Sequence, residues 1–442
     1  MPYNDILAKL RNAIRFVSDN IQDYVKNPGS DFSQDGKLTP EKLIAFLIGQ
    51  GSKSTRNELI EAFNANSDHP SASALVQKRA KLLPSALSEV FYLFSQSLDT
   101  PSSDSDYRFF AADGSTLTFL SDSRFSSEDY FTTQGNSAKG CYSVHLTAFL
   151  ELDTNRYTDA VIQPITQKDE YSAFSTIVDR HSLPTNAHAV FIADRGFCSY
   201  NNMAHVIQRG QFFLFRAKDI HSKGLLHHID YPSDDAFDTS VQLVIVRSQS
   251  KKRSLPDGYV RFVGKDTSFD FIKYGSDDHY ILPFRVVRFK LPSGDYESLV
   301  TNLPADSFPA EKLKELYARR WGIETSFRTL KYTIGLTKFH ARKAASIIQE
   351  IWARLISFNF TSAVMDCIEL PAKNTNKHAY KVSASAAVLA CRRFILTLIA
   401  GAAFDLLALL KRELIPIRLD RSFPRLSTAH FRRPAYFLYR PS

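Results

Sequence analysis

Three acidic residues and one short helical run hold the chemistry legible in this chain. Asp113 follows the strand-like run Tyr107 to Ala112 and precedes Gly114 and Ser115, which predicts a carboxylate at a strand terminus on the edge of a sheet. Asp194 has the same setting: Val190-Phe191-Ile192-Ala193 has the pattern of a buried strand, and Asp194-Arg195-Gly196-Phe197 turns after it. Either motif alone reads as an ordinary turn. Two strand-end aspartates together point to one shared site.

The third element is the run from Tyr317 to Lys331, in which Tyr317, Arg320, Glu324 and Lys331 stand at offsets 0, 3, 7 and 14. At about 100° per residue these fall within an arc of roughly 60°, so a phenol, a guanidinium, a carboxylate and an ammonium share one stripe of a helix. The adjoining stripe of Leu316, Ile323, Phe327 and Leu330 would seat that helix on the sheet and leave the polar stripe at the edge of the core. A solvated face usually mixes Glu and Lys at i, i+4 spacing for local pairing. Here one acid stands among bases, which favours a role in binding or catalysis.

The spacing Tyr-x2-Arg-x3-Glu-x6-Lys resembles the signature of a family of bacterial insertion-sequence DDE transposases. Asp113-Gly114-Ser115, Asp194-Arg195-Gly196-Phe197 and Leu299-Val300-Thr301-Asn302-Leu303-Pro304 resemble the companion motifs of that family in the expected order, over residues 105 to 360. The resemblance implies an α/β fold, an RNase H-like mixed-sheet catalytic core with a β-rich insertion, flanked by helical N- and C-terminal domains. It implies that Asp113, Asp194 and Glu324 form a metal-binding catalytic triad, and that Tyr317, Arg320 and Lys331 contact DNA; Arg195, next to Asp194, is a further candidate DNA contact. Three carboxylates can hold two divalent ions about 3.5–4 Å apart and clamp the attacking and leaving oxygens of a phosphoryl displacement. Hard oxygen ligands favour Mg²⁺, with Mn²⁺ as substitute.

The implied activity is cleavage at the terminal inverted repeats of a transposon followed by strand transfer into target DNA, carried out by a homodimer on double-stranded DNA. Members of the family often cut the second strand through a hairpin with a flipped base, for which Tyr296 is a candidate stacking partner. Two competing readings are a metal-dependent nuclease of the same core without strand transfer, and a domesticated DNA-binding protein. The intact acidic triad argues against the latter.

The elements that must position these residues follow from patterning. Residues 1–103 read as a helical, DNA-binding N-terminal domain, with helices from Thr39 to Ile48, Ser54 to Phe63, about Ala74 to Leu82 and Pro84 to Gln96. Lys53, Arg56, Gln77, Lys78, Arg79 and Lys81 would serve a helix-turn-helix reader. The turn-rich stretch Thr100 to Asp106 marks a boundary. Residues 104–216 and 304–365 read as the catalytic core, in the order β-β-β-α-β-α-β and then helix from Pro309 to about Thr333 and from Ala344 to Met365. Residues 217–303 read as the β-rich insertion, with turns at Pro256-Asp257-Gly258 and Pro292 to Asp295, and 366–442 as a basic helical C-terminal region.

Composition sets the outer bounds. The chain has 442 residues, 44% hydrophobic, which suits several packed cores and excludes a disordered protein. Its net charge of +9 points to a polyanionic partner. That charge is uneven: residues 1–200 carry 18 basic and 24 acidic side chains, whereas 301–442 carry 23 and 10, ending in an arginine-rich tail with Arg418, Arg421, Arg425, Arg432, Arg433 and Arg440. Four scattered cysteines and the absence of a leader pattern at the start fit a cytoplasmic setting. The longest apolar run, Phe394 to Leu410, falls short of the roughly 20 residues of a bilayer span and reads as a buried helix.

Overall fold

The computed structural model describes residues 3–34, 36–98, 106–120, 127–133, 140–183, 187–255, 259–371, 379–401 and 404–417. The arginine tail, the Pro256-Asp257-Gly258 turn and all but the last residue of the boundary stretch Thr100 to Asp106 lie outside the described residues.

Five helices open the chain: α1 (Tyr3–Asp19), α2 (Pro40–Gly49), α3 (Thr55–Ala62), α4 (Ala72–Lys81) and α5 (Ser85–Ser97). The start of α2 obeys its local sequence, with the Thr39 side chain accepting from the Lys42 N–H and Pro40 at the first helical position. Ser54 and Ser71 cap α3 and α4 in the same way. Helix α1 is the one that the sequence reading leaves undelimited.

The core follows as β1 (Tyr107–Phe119), β2 (Phe131–Thr133), β3 (Gly140–Glu151), β4 (Arg156–Pro164), α6 (Glu170–Arg180), β5 (His188–Ala193), α7 (Tyr200–Gln208) and β6 (Phe212–Ala217). Apart from the three-residue β2, this is the expected β-β-β-α-β-α-β order. Next come β7 (Phe237–Val246), α8 (Gln249–Ser254), β8 (Val260–Phe262), β9 (His279–Lys290) and β10 (Tyr296–Thr301). Last are α9 (Ala310–Ala318), α10 (Trp321–Arg328), α11 (Ala344–Met365), β11 (Tyr380–Val382), α12 (Ala384–Ala400), α13 (Leu406–Arg412) and β12 (Leu414–Pro416).

Ten strands make one mixed sheet in the order β2-β3-β1-β5-β6-β10-β9-β7-β8, with β4 also on β3. Strand β3 runs antiparallel to β1 and β4, whereas β1, β5 and β6 are mutually parallel across α6 and α7, which is the RNase H-like arrangement. The insertion strands continue this sheet: β10 lies antiparallel on β6, with Val300 opposite Phe215.

Strand alternation divides the core. On β1, Phe110 and Ala112 face α6 and α7, together with Phe174, Phe191 and Phe213, while Ala111 and Leu117 face the other way, toward α10 and α11. The second apolar cluster is continuous from Ile6 through α2, α5, α11 and α12 to Leu410, so helices from both ends of the chain share one core with the sheet.

Two expectations about local structure are corrected. Asp113 does not end its strand: β3 pairs along β1 as far as Phe119 opposite Tyr142, so Asp113 lies inside β1. The helix expected from Pro309 to Thr333 is broken at Arg319-Arg320 and widens into a π-helical turn at Thr329–Thr333. The break lets the chain serve two cores, with Leu313 and Leu316 packing beside Val190 and Leu214, and Ile323, Phe327 and Leu330 packing with α11.

Most of the basic residues expected to read DNA in the N-terminal helices are spoken for. Arg79 is buried; it donates to Gln349 Oε1 at 2.9 Å, to Glu350 Oε1 at 2.9 Å and to the Ser346 carbonyl. Lys53 pairs with Glu61 and Lys81 with Asp31. Arg354 and Arg392 reach the carbonyls of Gln50 and Gly49 at the end of α2. Among the described residues no helix is long and apolar enough to cross a membrane; the apolar run of the C-terminal region divides between α12 and α13, with Gly401 at φ +74° ending α12.

Candidate active site

The geometry of the site begins at the ends of the parallel strands. Register places Ala112 opposite Ala193, the last residue of β5, so Asp113 and Asp194 stand one step beyond neighbouring strand positions at the same edge. Odd positions of β1 face α10, and this turns Asp113 toward the helix that carries Glu324. Helix α10 is held there by a buried polar link: the Tyr157 hydroxyl and Ser326 Oγ lie 2.7 Å apart, while Asn359 bonds both backbone polar groups of Tyr157, at 2.8 and 2.7 Å.

Electrostatics shows that the three acids share one neighbourhood. The Asp113 carboxyl is pushed up to about 6, chiefly by burial and then by the charges of Asp194 and Glu324; the Gly114 N–H at 2.8 Å and Arg320 only partly offset this. Burial pulls the Lys331 ammonium down, with the Asp113 charge opposing it. Arg320 donates to Glu324 Oε1 at 2.7 Å, and its guanidinium lies 5.6 Å from the centre of the Tyr317 ring. Arg195 is exposed beside Asp194.

Of the expected stripe, Arg320, Glu324 and Lys331 lie within electrostatic reach of Asp113, although the helix beneath them is interrupted. One member differs from expectation: the Tyr317 hydroxyl is inaccessible and, like Arg320 Nε, makes no well-aligned hydrogen bond among the described residues. It backs Arg320 instead of facing solvent. Tyr296 also has other partners, with the Arg288 guanidinium 4.0 Å from its ring centre and its hydroxyl 3.1 Å from Asp235.

The carboxylates do not converge on a single point. Among the described residues, no three His, Cys, Asp or Glu side chains are close enough to hold an ion. Like charges repel, and each acid takes the nearest donor: Glu324 takes Arg320, Asp194 takes the Gly196 N–H at 2.8 Å, and Asp113 takes the Gly114 N–H. Donor chemistry nevertheless suits a hard divalent cation, because all three are carboxylates and the most buried one has too little positive charge around it.

Sequence reasoning missed the support behind Asp113. Gly114 faces the opposite side of the sheet, where a Cβ would come within 2.3 Å of Glu170 Oε1 and 2.6 Å of His145 Nε2. Those two side chains form a 2.9 Å pair, and His145 Nδ1 lies 3.1 Å from Thr116 Oγ1. Only a glycine lets this pair press against β1 beside Asp113. The local signal was the Asp-Gly dipeptide, which reads equally well as a turn.

Residues 104–360 match the family model of the transposase DDE domain. A putative transposase, y4zB, of Sinorhizobium fredii is 25% identical over 170 residues, 38% of this chain and 41% of that protein. The probable transposase for insertion sequence element IS5377 of Geobacillus stearothermophilus is 24% identical over 202 residues, 43% and 45% of the two chains. The chain thus spans less than half the length of these relatives. The solved synaptic complex of piggyBac transposase with hairpin DNA aligns at a TM-score of 0.47 and 10% identity, over 89% of this chain and 78% of that one.

Proposed function

The chain belongs to the transposase DDE domain family, and on that premise we propose that it cleaves DNA at the ends of a mobile element and joins the freed ends to target DNA. The observation that supports this best is the proximity of Asp113, Asp194 and Glu324, from the middle of β1, the end of β5 and α10, with Arg320 and Lys331 beside them. We assign the three carboxylates to holding two divalent ions, Mg²⁺ or Mn²⁺ in its place. Bound there, such ions supply an activated water and stabilise the attacking and leaving oxygens of phosphoryl transfer.

The chain's own residues do the rest. Arg320, released from Glu324, and Lys331 neutralise phosphate oxygens beside the scissile bond, and exposed Arg195 holds the phosphate on the Asp194 side. Tyr317 keeps the Arg320 guanidinium in place from behind. Transposon end and target DNA take the same site in succession, and two copies of the chain hold the two ends. Replacing Glu324 by Gln removes one anionic ligand at constant size. It is expected to abolish Mg²⁺-dependent nicking of an end-bearing duplex while duplex binding in EDTA persists; full nicking by Glu324→Gln would refute the assignment. A pre-cleaved end that the wild type cannot join to target DNA would reduce the activity to that of a nuclease.

A further inference from the structure

A groove of about 1210 Å³ opens between the N-terminal ends of α6 and α7 and the insertion segments 223–228 and 260–270. It starts beside the catalytic edge. Cys198 and Ser199, which line it, follow Asp194 by four and five residues, and the ring of Tyr171, 44% exposed, stands within electrostatic reach of Asp194.

The lining brings basic and aromatic side chains together. Lys223 and Lys252 are exposed and make no ion pair among the described residues. Arg261 is fixed in the wall by donating to the His227 and His228 carbonyls at 3.0 and 2.6 Å. The two imidazoles sit 3.8 Å apart, with His228 at φ +61°, a backbone conformation that costs energy for a residue with a side chain. Three carboxylates share the lining: Asp169, which caps α6 through the Ser172 N–H, Asp270, which is held by Asn201 and His205, and Asp266.

We infer that this groove holds an unpaired DNA strand of a few nucleotides leading away from the scissile bond, with phosphates on Lys223, Lys252 and Arg261 and bases stacked against Tyr171 and the histidine pair. The inference rests on the transposase reading above. Exposed lysines interleaved with aromatic rings suit single strands, whose bases expose their π-faces; a duplex buries those faces in its own stack.

The test uses full-length protein in EDTA, a fluorescein-labelled oligothymidylate and a labelled duplex of equal length, read by fluorescence anisotropy. The double variant Lys223→Glu, Lys252→Glu and the single variant Tyr171→Ala are expected to weaken oligothymidylate binding about tenfold or more, to flatten its salt dependence for the charge variant, and to leave duplex affinity within about twofold. Unchanged melting temperatures confirm that the variants fold. Oligothymidylate affinity that ignores these substitutions, a parallel fall in duplex affinity, or wild-type protein that binds duplex but no single strand overturns the groove assignment and leaves the transposase reading standing. Wild-type protein that binds neither form overturns both.

Discussion

Two buried acids in this molecule have opposite fates. Glu350, on α11, is buried, which by itself would raise its pKa, yet Arg79, His340 and Arg354 hold it well below the usual carboxylate range. It also accepts from the backbone N–H groups of His340 and Ala341, each at 3.0 Å. Asp113, less deeply buried, is pushed up to about 6, chiefly by burial and then by the charges of Asp194 and Glu324, with the Gly114 N–H and Arg320 offsetting this only in part. The same chemical group thus stays ionised where positive charge surrounds it and gains proton affinity where burial is only partly offset. Burial pushes both acids the same way, and the compensating groups around each decide the net direction.

Replacing each acid by its amide breaks the comparison most sharply. Asp113→Asn is expected to eliminate Mg²⁺-dependent nicking while leaving thermal stability in EDTA equal to or above that of the wild type, because a poorly compensated charge is removed. Glu350→Gln should do the reverse in kind, lowering stability by about 3–5 kcal/mol as buried Arg79 loses its counter-charge. Calorimetry beside a nicking assay reads both. Equal destabilisation by the two substitutions would erase the distinction.

Acidification sharpens it further. A depressed folded-state pKa means that the Glu350 contribution is present above the ordinary value of 4.5 and is lost as pH falls toward its folded value. Melting temperatures taken from pH 7 down to pH 3 should therefore fall below about pH 4.5 more steeply in the wild type than in Glu350→Gln. Parallel curves would place the acid sensitivity elsewhere.

The smallest expected effect concerns the support behind the site. Gly114→Ala drives a methyl into the Glu170–His145 pair, with a stability cost of about 1–3 kcal/mol and a fall in nicking rate that exceeds what the lost folded fraction explains. Nicking that merely tracks the folded fraction would limit Gly114 to a packing role.

Legibility in the sequence followed the range of the interaction. The stripe from Tyr317 to Lys331 was readable because helical spacing relates residues a few positions apart, and the starts of α2, α3 and α4 because capping is local. The break at Arg319-Arg320 was not readable, since two separate cores pull on the two halves of one apolar stripe. Nor was the diversion of Arg79 from DNA to Glu350, 271 positions away in the chain. Strand β1 looked shorter than it is because Asp-Gly imitates a turn unless β3 is there to pair with it.

By itself, then, the sequence determined which residue types could do this chemistry, the alternation of strands and helices around them, and the basic C-terminal half. The tertiary structure alone decided that Asp113, Asp194 and Glu324 share one edge, that the insertion strands extend the same sheet, and which of two buried carboxylates would be neutralised by partners. The reason is physical: periodicity and capping act over one or two turns of chain. A carboxylate's proton affinity depends on every charge packed around it, and folding alone brings those charges together.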